Sequence, residues 1–553
     1  MIRFLLPLIV STIPFVEAQA APNAEAESGQ TPHERLLALL LEDDGVLAPA
    51  LDIHPVTGMY NREAIIPPQC YTRHEQRFNP CYVCHQAKIP GRENVMNDDD
   101  LQAEYSFSDL GMANHWKNLF EDRSERVAAV TDEEILRYVS EENYSELAGR
   151  LREVDFQGWI PDLKNLEEGA DAFDEFGWAK DGSGWVAFNY KPLPSTFWPT
   201  NGSTDDVMIR LPEIFRQDSS GNDSRDVYRA NLAILEAVVK GATAMSCLPV
   251  DERICERDLN EDGQFGVVTE VTDLRRYVGR ASGEPIDQFL YPTGTEFLHT
   301  VRYLGIAADG GIVPSRRMKE VRYMKKWRAF PKVVYARNYQ LEGFEKEAGN
   351  LPGYHNLRAR GLDNGSGWSV SGFIENRQGR LRTYTYEENF SCMGCHNSIG
   401  STIDKTFSFP RKKEGKAGWG YIDLKKMSDV PNQGETVGEI ATYLRRVGGG
   451  SEFRNNDEML GKWFTEGGRL SHAKLSEAKS VYDLIVPSKQ RALTLNKAYY
   501  VIVQDQDFIY GKDATVKPPT NVFDRIDNET ATLLPENRRF RWSILLDWSD
   551  HGE

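Results

Sequence analysis

The chain has 553 residues, 40% of them hydrophobic and 27% charged, with a formal net charge of -18. That length accommodates two or three domains with a sizeable core, and the composition excludes global disorder. The acidic excess disfavours nonspecific binding to nucleic acid or anionic lipid and favours a partner with a basic docking surface.

Residues 1–20 read as an export signal. Arg3 supplies the positive start, Phe4 to Val16 is apolar but too short to span a bilayer, and Ala18-Gln19-Ala20 fits a small-residue cleavage site. No later stretch has the unbroken apolar length of a membrane helix. The mature chain is therefore expected to be exported into a periplasm with no integral membrane segment. The rest divides into an N-terminal region over 21–130, a middle region over 131–365 and a C-terminal region over 366–553.

Thr31-Pro32-His33-Glu34 opens a helix: threonine caps, proline suits the first turn, and Glu34 completes a capping box. Ala48 to Pro90 has no long periodic run and reads as irregular structure. It contains Cys81-Tyr82-Val83-Cys84-His85. Helices are expected over Asp132 to Val139 and Ser145 to Leu151. Phe173 to Trp198 is dense in aromatics and glycine, which suits either core packing or a pocket wall. Asp226 to Lys240 concentrates its apolar residues on one side and ends at Gly241, a helix with its stop signal.

Asp258-Leu259-Asn260-Glu261-Asp262-Gly263-Gln264-Phe265 matches the first eight positions of an EF-hand-like loop, with side-chain oxygens at alternate positions and a glycine at the sharp turn. The twelfth position is Thr269 rather than Glu, with Glu270 beside it. Asp258, Asn260, Asp262, Gln264 and Glu270 are thus candidate calcium ligands, and a solvated acidic turn is the alternative. Cys247 and Cys255 are close enough in sequence to form a disulfide in an oxidising compartment. Cys70 is left odd.

His299 sits among Phe297, Leu298, Val301 and Leu304. A basic run follows, from Arg316 to Arg328; as a helix it would be a solvated face, or its arginines would pair with the carboxylate arms of a bound cofactor. Val370 to Ile374 and Arg380 to Tyr386 flank Asn376 to Gly379 as a hairpin. Cys392-Met393-Gly394-Cys395-His396 comes next. Glu435 to Val447 reads as a helix ended by Gly448-Gly449-Gly450, Lys474 to Ile485 and Leu493 to Val503 as further helices, and Arg541 to Leu546 as a closing strand.

The two pentapeptides are both Cys-x-x-Cys-His, the attachment signature of a c-type haem. Two thiols at that spacing add across the vinyl groups of a porphyrin, and the adjacent histidine, here His85 or His396, reaches the iron. A split zinc site made from the four thiolates is the alternative. On these residues alone the chain resembles dihaem c-type cytochromes. The resemblance implies a mainly α fold with irregular haem-wrapping segments and minor β hairpins, cytochrome-c-like around each haem. It implies two covalently attached haem c groups on Cys81, Cys84, Cys392 and Cys395. The function implied is periplasmic electron transfer. The alternative is an oxidoreductase resembling cytochrome c peroxidases or haem-dependent oxygenases, with one electron-transfer haem and one catalytic haem. His299 is the first candidate for a distal iron ligand and His54 the second, with His115 and His74 as competitors.

Overall fold

An antiparallel sheet organises the chain in this computed structural model, which describes residues 31–49, 65–73, 78–86, 99–103, 105, 107–347, 354–396, 400–448, 454–527, 539–541 and 543–549. Its strands, in chain order, are β1 (Val186–Ala187), β2 (Thr204–Arg210), β3 (Met245–Asp251), β4 (Val267–Val271), β5 (Glu296–Ile306), β6 (Ile312–Lys326), β7 (His355–Asn356), β8 (Leu362–Asp363), β9 (Trp368–Glu375) and β10 (Leu381–Thr383). Eight of them form one sheet in the order β1-β2-β5-β6-β9-β8-β7, with β10 added on β9; β3 and β4 form a separate ribbon.

The long β5–β6 hairpin is the sheet's centre. Asp309-Gly310 makes its turn, with Gly310 at φ 84° and the Asp309 carboxylate accepting from the Gly311 N–H at 2.9 Å. Register shifts twice: Val301 pairs with Glu320 and Arg302 with Met318, so Lys319 has no partner and forms a bulge, and a second shift falls between Arg302 and Leu304, which pairs with Pro314. Strand alternation sends Met208, Leu298, Val321 and Phe373 to one face, where they pack with Leu151, Leu163 and Trp185. Val207, Phe297, His299, Val301, Glu320, Arg322, Met324 and Val370 take the other face and line a cavity.

This corrects the expectation of a mainly α, cytochrome-like fold. The basic run falls largely on β6; Arg316, Lys325 and Arg328 are exposed, while Arg317, Lys319 and Lys326 are buried, and distant carboxylates meet Arg317 and Lys326. Arg317 stands 3.1 Å from Glu375 and Lys326 2.6 Å from Asp404, while Arg302 on β5 stands 2.9 Å from Asp206. Such pairs put charged residues at buried strand positions, so the apolar/polar alternation that marks a strand is lost.

Local helix signals were nevertheless read correctly. Pro32–Glu42 is a helix with the Thr31/Glu34 capping box formed, and Arg225–Lys240 is capped by Ser224 and stopped by Gly241 at φ 70°. Helices at Asp132–Ser140, Leu147–Glu153, Glu439–Val447 and Lys489–Asp505 match the remaining readings to within a turn. Lys474 to Ile485 splits into two short helices, His472–Leu475 and Val481–Ile485. The Val370 to Tyr386 hairpin is present as β9 and β10. Arg541 to Leu546 makes no strand among the described residues, only a bridge from Leu546 to Asn432. The proposed export signal lies outside the described residues.

Candidate functional site

Both pentapeptides open on one cavity. Cys81, Cys84 and His85 lie on one part of its wall and Cys392, Cys395 and His396 on another, although most of the chain separates them in sequence. The cavity encloses about 2110 Å³ of space free of atoms, part of it open to solvent.

The first pentapeptide is a tight turn. Cys81–Val83 form a 3₁₀ turn, and the N–H groups of Cys84 and His85 both donate to the Cys81 carbonyl, at 3.2 and 2.9 Å. Asn79 caps it from upstream at 3.0 Å. Gln102 donates to the His85 carbonyl and accepts from the Phe540 N–H, both at 2.5 Å, tying the turn to the C-terminal segment.

The second pentapeptide ends the Tyr386–His396 helix. Its thiols are three residues apart, on one face of that helix. Asn364 holds the last carbonyl, donating to His396 O at 3.0 Å. Gly394 lies where the helix meets Ile65, close to the first pentapeptide's approach.

Electrostatics distinguish these groups from a thiol redox centre. Burial pushes the Cys81 thiol up to about 12 and Cys395 up to about 11, and it raises Cys392 as well. Thiols held protonated are poor nucleophiles. Burial also drives His396 down to about 3, helped by Arg322 and His299, so its imidazole is neutral at physiological pH. The ring stacks on Phe407 at 5.3 Å, and its Nδ1 has no hydrogen-bond partner although it is buried. A neutral, buried imidazole with an unused nitrogen is the form that ligates a metal.

His299 lines the same cavity from β5. Its ring meets Phe197 edge-on at 4.8 Å, and Nε2 stands 3.5 Å from Asp205 without making a hydrogen bond. Burial raises the Asp205 carboxyl, and Tyr190 donates to it. His54 and His74 fall outside the described residues. His115 is no cavity residue: its Nε2 lies 2.8 Å from the Ile509 carbonyl, and burial lowers it to about 4. Cys70 lines the cavity.

The aromatic stretch serves both of its expected roles. Trp178, Trp185, Phe188 and Trp198 are core, while Phe197 faces the cavity.

The acidic loop sits elsewhere, beside the β3–β4 ribbon. Asp258 accepts from the Gly263 N–H at 2.8 Å, and Asp262 from the Gln264 N–H at 2.8 Å. The chain thus gathers Asp258, Asn260, Asp262 and Gln264 in one turn. Glu270 is instead on β4, paired with Ser246. Among the described residues no three His, Cys, Asp or Glu side chains form a ready metal cluster. Cys247 and Cys255 are free buried thiols rather than a disulfide, each pushed up to about 12 by burial.

Three residues at the site were not foreseen: Asn201 and Tyr499, which line the cavity, and Asp205 beside His299. No local signal marks them. The Asp309-Gly310 turn, however, would have paired β5 with β6 and placed His299 opposite Arg322.

A family model described as "-like lipoprotein" matches residues 53–482, a span that includes both pentapeptides. The chain belongs to this lipoprotein family. It is also 31% identical over 544 residues to an uncharacterized lipoprotein of Aquifex aeolicus (strain VF5), covering 86% of this chain and 91% of the relative. No solved structure matches. Membership corrects the resemblance to c-type cytochromes, together with the cytochrome and oxidoreductase classification that it carried. Two pentapeptides are a local signature, whereas the match and the eight-stranded sheet concern the whole chain around them. A lipoprotein family is one of exported proteins, which agrees with the export expectation. No helix among the described residues is long and apolar enough to cross a membrane.

Proposed function

We propose that this lipoprotein-family chain is an exported redox protein whose cavity holds two haem groups. Cys81 and Cys84 would link one by thioethers, with His85 as its iron ligand; Cys392 and Cys395 would link the other, with His396. The observation that carries this reading is the convergence of both pentapeptides on one largely apolar cavity. The residues fit the group. Each pair of thiols is followed directly by a histidine, and the unused Nδ1 of buried His396 is the kind of donor an iron would engage.

When bound, such groups supply one-electron chemistry. The chain's own contribution is to exclude water with Val207, Phe297, Met324 and Val370, and to place Arg322 and His299 beside His396. The acidic charge suits an external partner with a basic surface, and the export signal suits a periplasmic site.

The test is the mass of the mature protein expressed with haem-attachment machinery. Two covalent haems are expected, resistant to acid-acetone extraction. Cys81→Ser with Cys84→Ser should remove one, and Cys392→Ser with Cys395→Ser the other. A bare-chain mass, or zinc in place of haem, overturns the reading.

A further inference from the structure

The β6 bulge turns Lys319 into the cavity, and there the lysine lacks a counter-charge. Its side chain is buried, at 1% exposure. Nζ donates to the Gly202 carbonyl at 2.7 Å and to Ser203 Oγ at 3.1 Å, both neutral acceptors. An ammonium has three donors, so one is left. Among the described residues no carboxylate comes within 4 Å of it. The neighbouring cations are matched: Arg322 with Glu320 at 2.8 Å, Lys512 with Glu320 at 3.1 Å, and Arg454 with Asp513 at 2.9 Å.

Two further donors line the same cavity unused. The Tyr499 hydroxyl is buried and has no hydrogen-bond partner among the described residues, and its ring lies 4.0 Å beneath the Lys319 ammonium. Asn201 accepts from Asn456 at 3.2 Å through its oxygen, while its Nδ2 is buried and unpartnered. A buried ammonium that meets only neutral acceptors and the ring faces of Tyr303 and Tyr499, and two idle donors, are each costly to keep. One ligand chemistry relieves all three.

We propose that Lys319, Tyr499 and Asn201 form an anion subsite that takes a carboxylate or small oxyanion. It adds a ligand class to the cavity and rests on reading that cavity as a ligand chamber, not on which group the thiols carry. The same carboxylate oxygens could arrive on a free small anion or as side arms of the thiol-bound group.

The experiment titrates the full-length protein with sodium formate and, separately, sodium nitrite at constant ionic strength, following the thermal midpoint and the tyrosine near-ultraviolet spectrum. Wild type, Lys319→Met and Tyr499→Phe are compared, and Tyr499→Phe keeps the ring if the lysine variant folds poorly. For a free anion, the wild-type midpoint rises with concentration and the spectrum shifts. The apparent affinity then falls at least tenfold in Lys319→Met, with a smaller loss in Tyr499→Phe. For a carboxylate of the bound group, the wild type ignores both salts, and Lys319→Met lowers one reduction potential by removing a positive charge. A wild type indifferent to both salts, with potentials unmoved by Lys319→Met, overturns the subsite. Failure of the haem reading shows separately, as a bare-chain mass, and the salt titration then decides alone.

Discussion

Gly394, between the two thiols of the second pentapeptide, packs against the backbone of Ile65: a Cβ placed on it would stand 2.6 Å from the Ile65 carbonyl oxygen. This contact joins the Tyr386–His396 helix to the segment that leads into the first pentapeptide. Backbone cannot swing aside as a side chain can. Gly394→Ala is therefore expected to force the two apart and cost about 1–3 kcal/mol, the usual range for overpacking. Urea denaturation measures it. A variant as stable as wild type would mean that the two walls of the cavity are not rigidly joined.

Glu252 closes the acidic loop from inside. Its carboxylate is fully buried and accepts from the N–H groups of Leu259 at 2.6 Å, Asn260 at 3.3 Å and Gly266 at 2.8 Å. Glu252→Ala strands these donors and should lower stability by roughly 2–4 kcal/mol. Hydrogen exchange should show the loss of protection centred on residues 258–266. The same melts run with calcium and with a chelator decide between a cation loop and an acidic turn.

The helices could be read from sequence because caps and stop signals are local: Thr31 with Glu34, Ser224 with Gly241. Of the sheet only the β9–β10 hairpin could be, because what makes β6 a strand lies elsewhere in the chain. Arg317 needs Glu375, Lys326 needs Asp404, and Glu320 needs Lys512. Those carboxylates turn a run of basic residues from a solvated face into buried structure. The cavity was half legible. Its six pentapeptide residues declare themselves by spacing, whereas Asn201 and Tyr499 are ordinary residues that matter only through where the sheet and the Lys489–Asp505 helix place them.

His299 gives a prediction of the haem reading. Phe197 packs on the ring and Asp205 stands behind Nε2. If His299 closes one iron, His299→Ala should leave the haem count at two, turn one iron high-spin and let it bind carbon monoxide when reduced. An unaltered low-spin spectrum in a folded variant assigns His299 to the cavity wall alone.

Lys319 gives a pH dependence whose sign is fixed by burial. Desolvation lowers the lysine from 10.5 to about 7 in the folded chain, against the opposing pull of Glu375, Glu320 and Asp513. Tyr303 and Tyr499 face it with their rings, at 5.0 and 4.0 Å. In the unfolded chain the same amine holds its proton up to its ordinary value. Between these two values the unfolded state binds one more proton, so rising pH favours the folded state, by up to about 1.4 kcal/mol per pH unit. Below about 7 both states are protonated and the full cost of burying the charge is felt. Lys319→Met has no proton to lose. Its own penalty, from the unsatisfied Gly202 carbonyl and Ser203 hydroxyl, does not change with pH. Urea denaturation of both proteins between pH 7 and 9.5, without added anions, should therefore give curves that diverge, the wild type gaining on the variant as pH rises. Parallel curves would show that Lys319 keeps its charge in the folded chain across this range.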